Sequence, residues 1–330
     1  MTLPTFADVQ TAADRLAGVA VRTPLLESPL LNARAGCRIL VKAECLQVTG
    51  SFKFRGAYNA VSALPEAQRA RGVVAFSSGN HGQAVAAAAR MYGVPATIVM
   101  PSDAPAIKIA ATKAQGGRVV TYDRWTEDRE AIGKALAAET GATLVKPYDE
   151  PLVIAGQGTM AMELVEQARA LGVETIDRVI VPVSGGGMVS GVALAMEALS
   201  PATRVASAEP AGFDDMARSL AAGTHVRNEP GGRTLSDALM APTPGDITFP
   251  IAKRLLDGGY AATDAEAKAA MAIAFHMLKL VVEPGGAVAL AAVLSGKVDC
   301  AGRTVVVIAS GGNVDPAVFT EALAENASPF

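Results

Sequence analysis

The stretch RVIVPVSGGGMVSG, residues 178–191, decides the fold. Its first half is a short apolar run rich in β-branched residues, the pattern of a strand buried on both faces. It then breaks into serine and three glycines before a second apolar stretch begins. Glycines at that place let backbone N–H groups approach an anion, and a helix starting there turns its positive dipole end toward the same point. Two other stretches repeat the arrangement: VVAF (73–76) runs into SSGNHGQA (77–84), and TVVVIA (304–309) into SGGNVDP (310–316). TIVM (97–100), RVVTY (118–122) and RVASA (204–208) read as further strands. Residues 127–139, 157–170 and 263–282 read as helices, the last opened by a capping box, Thr263 with Glu266. Strands alternating with helices imply an α/β chain with largely parallel sheet, whose ligands bind beyond the carboxyl ends of the strands. Three Ser-Gly loops there suit a ligand with several polar handles.

The bulk composition narrows the function. Lys and Arg number 29 against 32 Asp and Glu, a net charge of −3 with no basic run, so neither nucleic acid nor an acidic membrane is an expected partner. The three cysteines (Cys37, Cys45, Cys300) form no CxxC pair, which fits a reducing cytoplasm. The N-terminal MTLPTFADVQ lacks the basic and apolar regions of a signal peptide. His81, His225 and His276 are scattered, against a zinc site. GQGTMA (156–161) matches a dinucleotide fingerprint but follows only a short apolar run behind Pro151, so it is set aside.

TGSFKFRGA (49–57) carries the most chemistry. Lys53 stands between Phe52 and Phe54. A lysine can snorkel past such neighbours to water, or it can be desolvated and so made a reactive amine. With a phosphate-type glycine loop and two polar loops in the same chain, the second reading points to a Schiff-base lysine serving pyridoxal phosphate. Glu209 and Asp215, just after a strand, offer oxygen ligands for a hard cation or stand as two solvated carboxylates.

SFKFRGA (51–57), SSGNHGQA (77–84), the glycine loop at 184–188 and SGGN (310–313) together resemble the serine/threonine dehydratase and serine racemase family, pyridoxal-phosphate enzymes of fold type II. The similarity extends from TPLLES (23–28) to SGGNVD (310–315). It implies two open α/β domains with the cofactor between them: 1–71 plus 149–330 large and cofactor-binding, 72–148 small and mobile. Lys53 would carry the cofactor covalently and Phe52 would pack on its ring. Asn80 would meet the ring oxygen, Ser310 the pyridine nitrogen, and Gly185, Gly186, Gly187 and Met188 the phosphate. Ser77, Asn80 and His81 would hold the substrate carboxylate. Ser78 occupies the place of an opposite-face hydroxyl in racemases, though it can equally cap the helix that starts near His81. Glu209, Asp215 and the Phe213 carbonyl match a Mg²⁺ or Ca²⁺ site. Ser184 replaces the usual first glycine of the phosphate loop, and Ala238 another usual glycine.

The expectation from these residues is a cytoplasmic lyase that eliminates water and ammonia from a small β-hydroxy amino acid, L-threonine or L-serine, as a homodimer or higher homo-oligomer. Serine racemase and 3-hydroxyaspartate dehydratase are the alternatives within the fold, and a ligand-binding α/β protein is the one outside enzymes. YDRWTEDRE (122–130) resembles the racemase and hydroxyaspartate subgroup, but the sequence ties none of its residues to a side-chain carboxylate.

Overall fold

The structure is a computed structural model that describes residues 2–77 and 79–327. The described residues form two sheets. The strands are β1 Leu25–Glu27, β2 Arg38–Lys42, β3 Val73–Phe76, β4 Ala96–Pro101, β5 Arg118–Tyr122, β6 Thr143–Leu144, β7 Arg178–Pro182, β8 Arg204–Pro210, β9 Leu256–Ala262 and β10 Thr304–Ile308. One sheet has six strands in the order β1-β2-β10-β7-β8-β9, the other four in the order β5-β4-β3-β6. Every pairing is parallel except β1 with β2.

Alternation along the central strands feeds two cores. Ile39, Val41, Ile180, Val305 and Val307 point to one face of the large sheet, while Leu40, Val179, Val181, Val306 and Ile308 point to the other. Each such side chain, fully buried, contributes about 1.5–3 kcal/mol. A third core, including Val73, Ala75, Ile98 and Met100, belongs to the four-stranded sheet.

The GQGTMA stretch lies inside the helix Pro151–Ala170. Its glycines serve close helix packing, not a ligand. A methyl on Gly156 would stand 2.6 Å from the Cα of Gly56, and one on Gly158 2.7 Å from the Gly191 carbonyl oxygen. The capping box at Thr263 is present, with Glu266 N–H donating to Thr263 Oγ1 and Thr263 N–H to Glu266 Oε2. That helix is shorter than the 263–282 expected. It runs Asp264–Ile273, widens into a π-turn at Ala274–Leu278, and stops at Lys279, whose φ of 59° no helix continues. Among the described residues no helix is long and apolar enough to cross a membrane.

Candidate active site

The carboxyl ends of both sheets border one cavity of about 650 Å³, reached by Phe76 and Tyr122 from the smaller sheet and by Pro182 and Ser310 from the larger. Lys53 is the first residue of the helix Lys53–Ser62 and borders this cavity. Its Nζ donates to the Pro147 carbonyl at 2.7 Å and lies 5.1 Å from the centre of the Phe52 ring. Burial, with the Arg129 cation as a second cause, lowers its amine to about 8. A helix N-terminus is itself unfavourable to a cation, which acts in the same direction. The apolar bracket therefore makes a reactive amine.

The glycine loop stands opposite. Gly187 opens the helix Gly187–Leu199, so the amides of Gly187 and Met188 have no helical acceptor. Gly186 takes φ 94°, and a methyl on Gly185 or Gly187 would run into Tyr148, at 2.3 Å from its ring and 2.9 Å from its Cα. The Gly185 carbonyl is fixed by the Thr248 hydroxyl at 2.6 Å. Ser184 Oγ accepts from Ala241 N–H at 3.1 Å and keeps its own proton for another acceptor. This is a rigid cradle of N–H groups, the form that holds a phosphate.

The third loop joins the first through backbone: Phe52 N–H donates to the Ser310 carbonyl, and Ser51 bridges Gly311. At the end of β3, Ser77 Oγ accepts from Gly79 N–H at 3.0 Å, and Asn80 begins the helix Asn80–Met91. Ser78 lies outside the described residues. His81 is 2% exposed. Its Nε2 lies 3.0 Å from the Val145 carbonyl, and since a carbonyl cannot donate, Nε2 carries the proton. Nδ1 is then a buried lone pair without a partner, and burial with the Lys53 charge lowers the ring to about 3. Phe52, Lys53, Ser77, Asn80, His81, the glycine loop, Met188 and Ser310 thus share one cavity.

Glu209 and Asp215 are fully buried beyond the end of β8. Glu209 accepts from the amides of Met216 and Ala217, each at 2.9 Å. Asp215 Oδ1 accepts from Asn228, while its Oδ2 is buried without a partner. Burial and the mutual negative charge push Glu209 well up, and burial pushes Asp215 up to about 6. Phe213, two residues before Asp215, is buried beside them. Among the described residues no cluster of three or more His, Cys, Asp or Glu could hold a metal, so a cation here needs carbonyl or water oxygens as well.

Sequence reasoning missed Arg129. It opens the helix Arg129–Thr140, fixed there because Asp128 Oδ1 accepts from Glu130 and Ala131 N–H. The neighbouring acids are spent on the turn: Asp123 Oδ1 accepts from Trp125 N–H and Glu127 Oε2 from Asp123 N–H. Arg124 takes Asp103 at 2.7 Å. Arg129 pairs with no carboxylate among the described residues, lies 5.5 Å from the Phe76 ring, and reaches Lys53 and Tyr148 with its field. Its signal in the sequence was hidden by the acids around it, which read as partners.

The sequence pattern of pyridoxal-phosphate dependent enzymes matches residues 17–311. An L-threo-3-hydroxyaspartate ammonia-lyase of a Pseudomonas species is 48% identical, covering 96% of this chain and 97% of the relative. That of Saccharomyces cerevisiae is 45% identical, over 96% and 95%. Maize serine racemase superposes with a TM-score of 0.91 at 40% identity, over 99% of this chain and 98% of that one. The buried Lys53 amine, the glycine cradle and these likenesses over nearly the full length agree: the chain belongs to the pyridoxal-phosphate dependent enzymes of fold type II.

Proposed function

We propose that this protein is an ammonia-lyase for L-threo-3-hydroxyaspartate, in place of the threonine or serine first expected from the motifs. The observation that carries the reading is Arg129, a partly buried guanidinium on the cavity that pairs with no carboxylate among the described residues. A second substrate carboxylate would supply its partner, whereas the methyl of threonine or the hydrogen of serine would leave it unpaired. The two ammonia-lyase relatives named for that substrate support the same choice.

Pyridoxal phosphate bound here supplies an electron sink for the charge left at Cα when its proton is removed. The cavity fits it: Lys53 is the amine to carry it, and the Gly185-to-Met188 amides with Ser184 are the phosphate donors. Asn80 and Ser310 stand for its ring polar atoms, and Phe52 for its apolar face. A neutral Lys53 amine would take the Cα proton, a task suited to an amine lowered to about 8. Ser77 and the first-turn amides of the helix Asn80–Met91 hold the α-carboxylate. The His81 ring offers a lone pair, so its contribution to that carboxylate is its backbone N–H. Tyr148, kept protonated by burial, is a neutral hydroxyl on the same cavity for the departing β-oxygen.

Two further parts of the proposal rest on separate observations. Residues 72–148 form the piece that closes on substrate, supported by the four-stranded sheet, whose strands β3 to β6 all fall within that range and pair with none of the larger sheet. Mg²⁺ or Ca²⁺ sits on Glu209, Asp215 and the Phe213 carbonyl, supported by two buried carboxylates that are both pushed up and by an Asp215 Oδ2 with no partner among the described residues.

The deciding experiment is ammonia release by the purified holoenzyme from L-threo-3-hydroxyaspartate, L-serine and L-threonine. The expected kcat/KM for the dicarboxylate exceeds the others by about 100-fold, the worth of one buried charge pair. Equal or better turnover of serine or threonine overturns the reading.

A further inference from the structure

Three charged side chains meet between the two sheets, Lys108 and Glu283 deeply buried and Asp237 partly so, apart from Lys53 and the glycine cradle. Lys108, on the helix Ala106–Ala114, is 3% exposed, and Glu283 2%. Lys108 Nζ donates to both carboxylate oxygens of Asp237, at 2.8 and 2.9 Å. It lies 3.2 Å from Glu283 Oε2, close enough to share its charge but without a well-aligned hydrogen bond. Glu283 Oε1 accepts from Asn80 Nδ2 at 2.5 Å. Asn80 Oδ1 in turn accepts from Asn313 Nδ2 at 2.9 Å, and Asn313 is tied to the Thr49 carbonyl.

The chain of contacts determines the Asn80 amide. Its oxygen is committed to Asn313 and one of its two N–H groups to Glu283, so only the second N–H is free to serve the cavity that Asn80 borders. Backbone closes the arrangement on both sides. A methyl on Gly79 would stand 2.3 Å from Lys108 Cδ, and one on Gly311 2.2 Å from Glu283 Oε1. Burial and Asp237 favour a protonated Glu283, which Lys108 opposes. A protonated Glu283 can turn its O–H on the amide and release that orientation.

We propose that Lys108 is a positioning residue: through Glu283 it fixes the Asn80 amide with its second N–H on the cofactor cavity. The proposal rests on the cofactor reading only for what that N–H meets. Lys108→Met should weaken pyridoxal-phosphate binding about tenfold or more, the size of one hydrogen bond to a charged group, and move the visible absorption band of the bound cofactor. The Lys108→Met/Glu283→Gln double variant should return to within about threefold of the wild type, because a neutral glutamine oxygen accepts from Asn80 without a cation beside it. Lys108→Arg should keep band and affinity. A merely structural Lys108 predicts a lower Tm in the single variant and no recovery of band or affinity in the double one, and that result overturns the proposal. If the single variant does not fold, the double variant decides alone, since tenfold weaker binding in it also overturns the proposal. A wild type that binds no pyridoxal phosphate would instead remove the cofactor reading beneath it.

Discussion

The two sheets meet the cavity with different materials. The six-stranded side presents Lys53, the Gly185-to-Gly187 cradle and Ser310: a single amine among backbone groups and small side chains. The four-stranded side presents Arg129, which pairs with no carboxylate among the described residues, and His81, a neutral ring tied to the Val145 carbonyl. Backbone groups hold what every member of a family binds, a phosphate and a ring. Side chains on the loops of the other sheet are free to differ with the substrate. On the proposed reading the first side serves the cofactor and the second the specificity.

The strongest way to break that division is Lys53→Ala. If Lys53 is the cofactor amine, its loss should lower lyase turnover by roughly 10⁴-fold or more and abolish covalent attachment of the cofactor. Borohydride reduction followed by peptide mapping checks this, and a pyridoxyl group on another lysine would refute the assignment. In the apoprotein, capture of the cofactor requires the neutral amine, so its rate should rise with pH through a midpoint near 8. Arg129→Met removes a like charge, and the midpoint should move upward.

Arg129→Met also tests the other side. Leaving a β-carboxylate unpaired should cost about 3 kcal/mol, roughly 100-fold in kcat/KM for L-threo-3-hydroxyaspartate, with L-serine changed by less than about threefold. A parallel loss for both substrates would make Arg129 part of the common machinery and erase the comparison. A smaller effect joins the two sides. Gly185→Ala drives a methyl toward the Tyr148 ring, 2.3 Å away, at a cost of about 1–3 kcal/mol in stability and a matching loss of cofactor affinity. Removing the ring with Tyr148→Ala in the same chain should recover most of the Tm, read by thermal melts with and without cofactor.

The same division explains what the sequence disclosed. VVAF and the runs at 97–100, 178–183, 204–208 and 304–309 are strands within a residue or two, because strands buried on both faces must be apolar throughout, and RVVTY is the half-exposed edge strand β5. Glycine loops at their ends are legible because close backbone approach leaves no other choice of residue. β2 and β9 were missed. Arg38–Lys42 ends in a fully buried lysine paired with Glu163 at 2.6 Å, and Leu256–Ala262 is interrupted by Gly258 and Gly259. Neither pattern looks like an interior strand. Arg129, Lys108, Asp237 and Glu283 were missed for another reason: a charge reads as solvated until its partners, some more than a hundred residues away, are known. YDRWTEDRE looked distinctive, yet only the turn geometry shows which of its arginines lacks an acid.

The smallest expected effect concerns two sets of buried acids on the large-sheet side. Glu44 is fully buried, and although burial alone would raise its carboxyl, Arg55 at 2.8 Å holds it below the usual range. Glu209 and Asp215 are equally buried without a direct ion pair among the described residues, Arg218 reaching Asp215 only with its field, and both are pushed up. The sign of the pH effect follows. Asp215, raised to about 6 in the folded chain, favours folding fully below its ordinary value of 3.8, and that contribution is lost as pH rises through 6. Metal-free protein should therefore lose Tm from this site between pH 5 and 7. A divalent cation needs the ionised carboxylates, so Mg²⁺ or Ca²⁺ should restore the loss near pH 7.5 and do less at pH 5. At about 100 times its Kd such an ion contributes roughly 2.7 kcal/mol, a rise of a few degrees. Asp215→Asn removes the repulsion, so it should melt higher than the metal-free wild type at pH 7.5 and respond to neither ion. Differential scanning calorimetry in chelator, then in each metal at both pH values, separates the cases; a wild type indifferent to chelator and metal at pH 7.5 would leave Glu209 and Asp215 as a neutralised pair sharing protons, with no cation to hold.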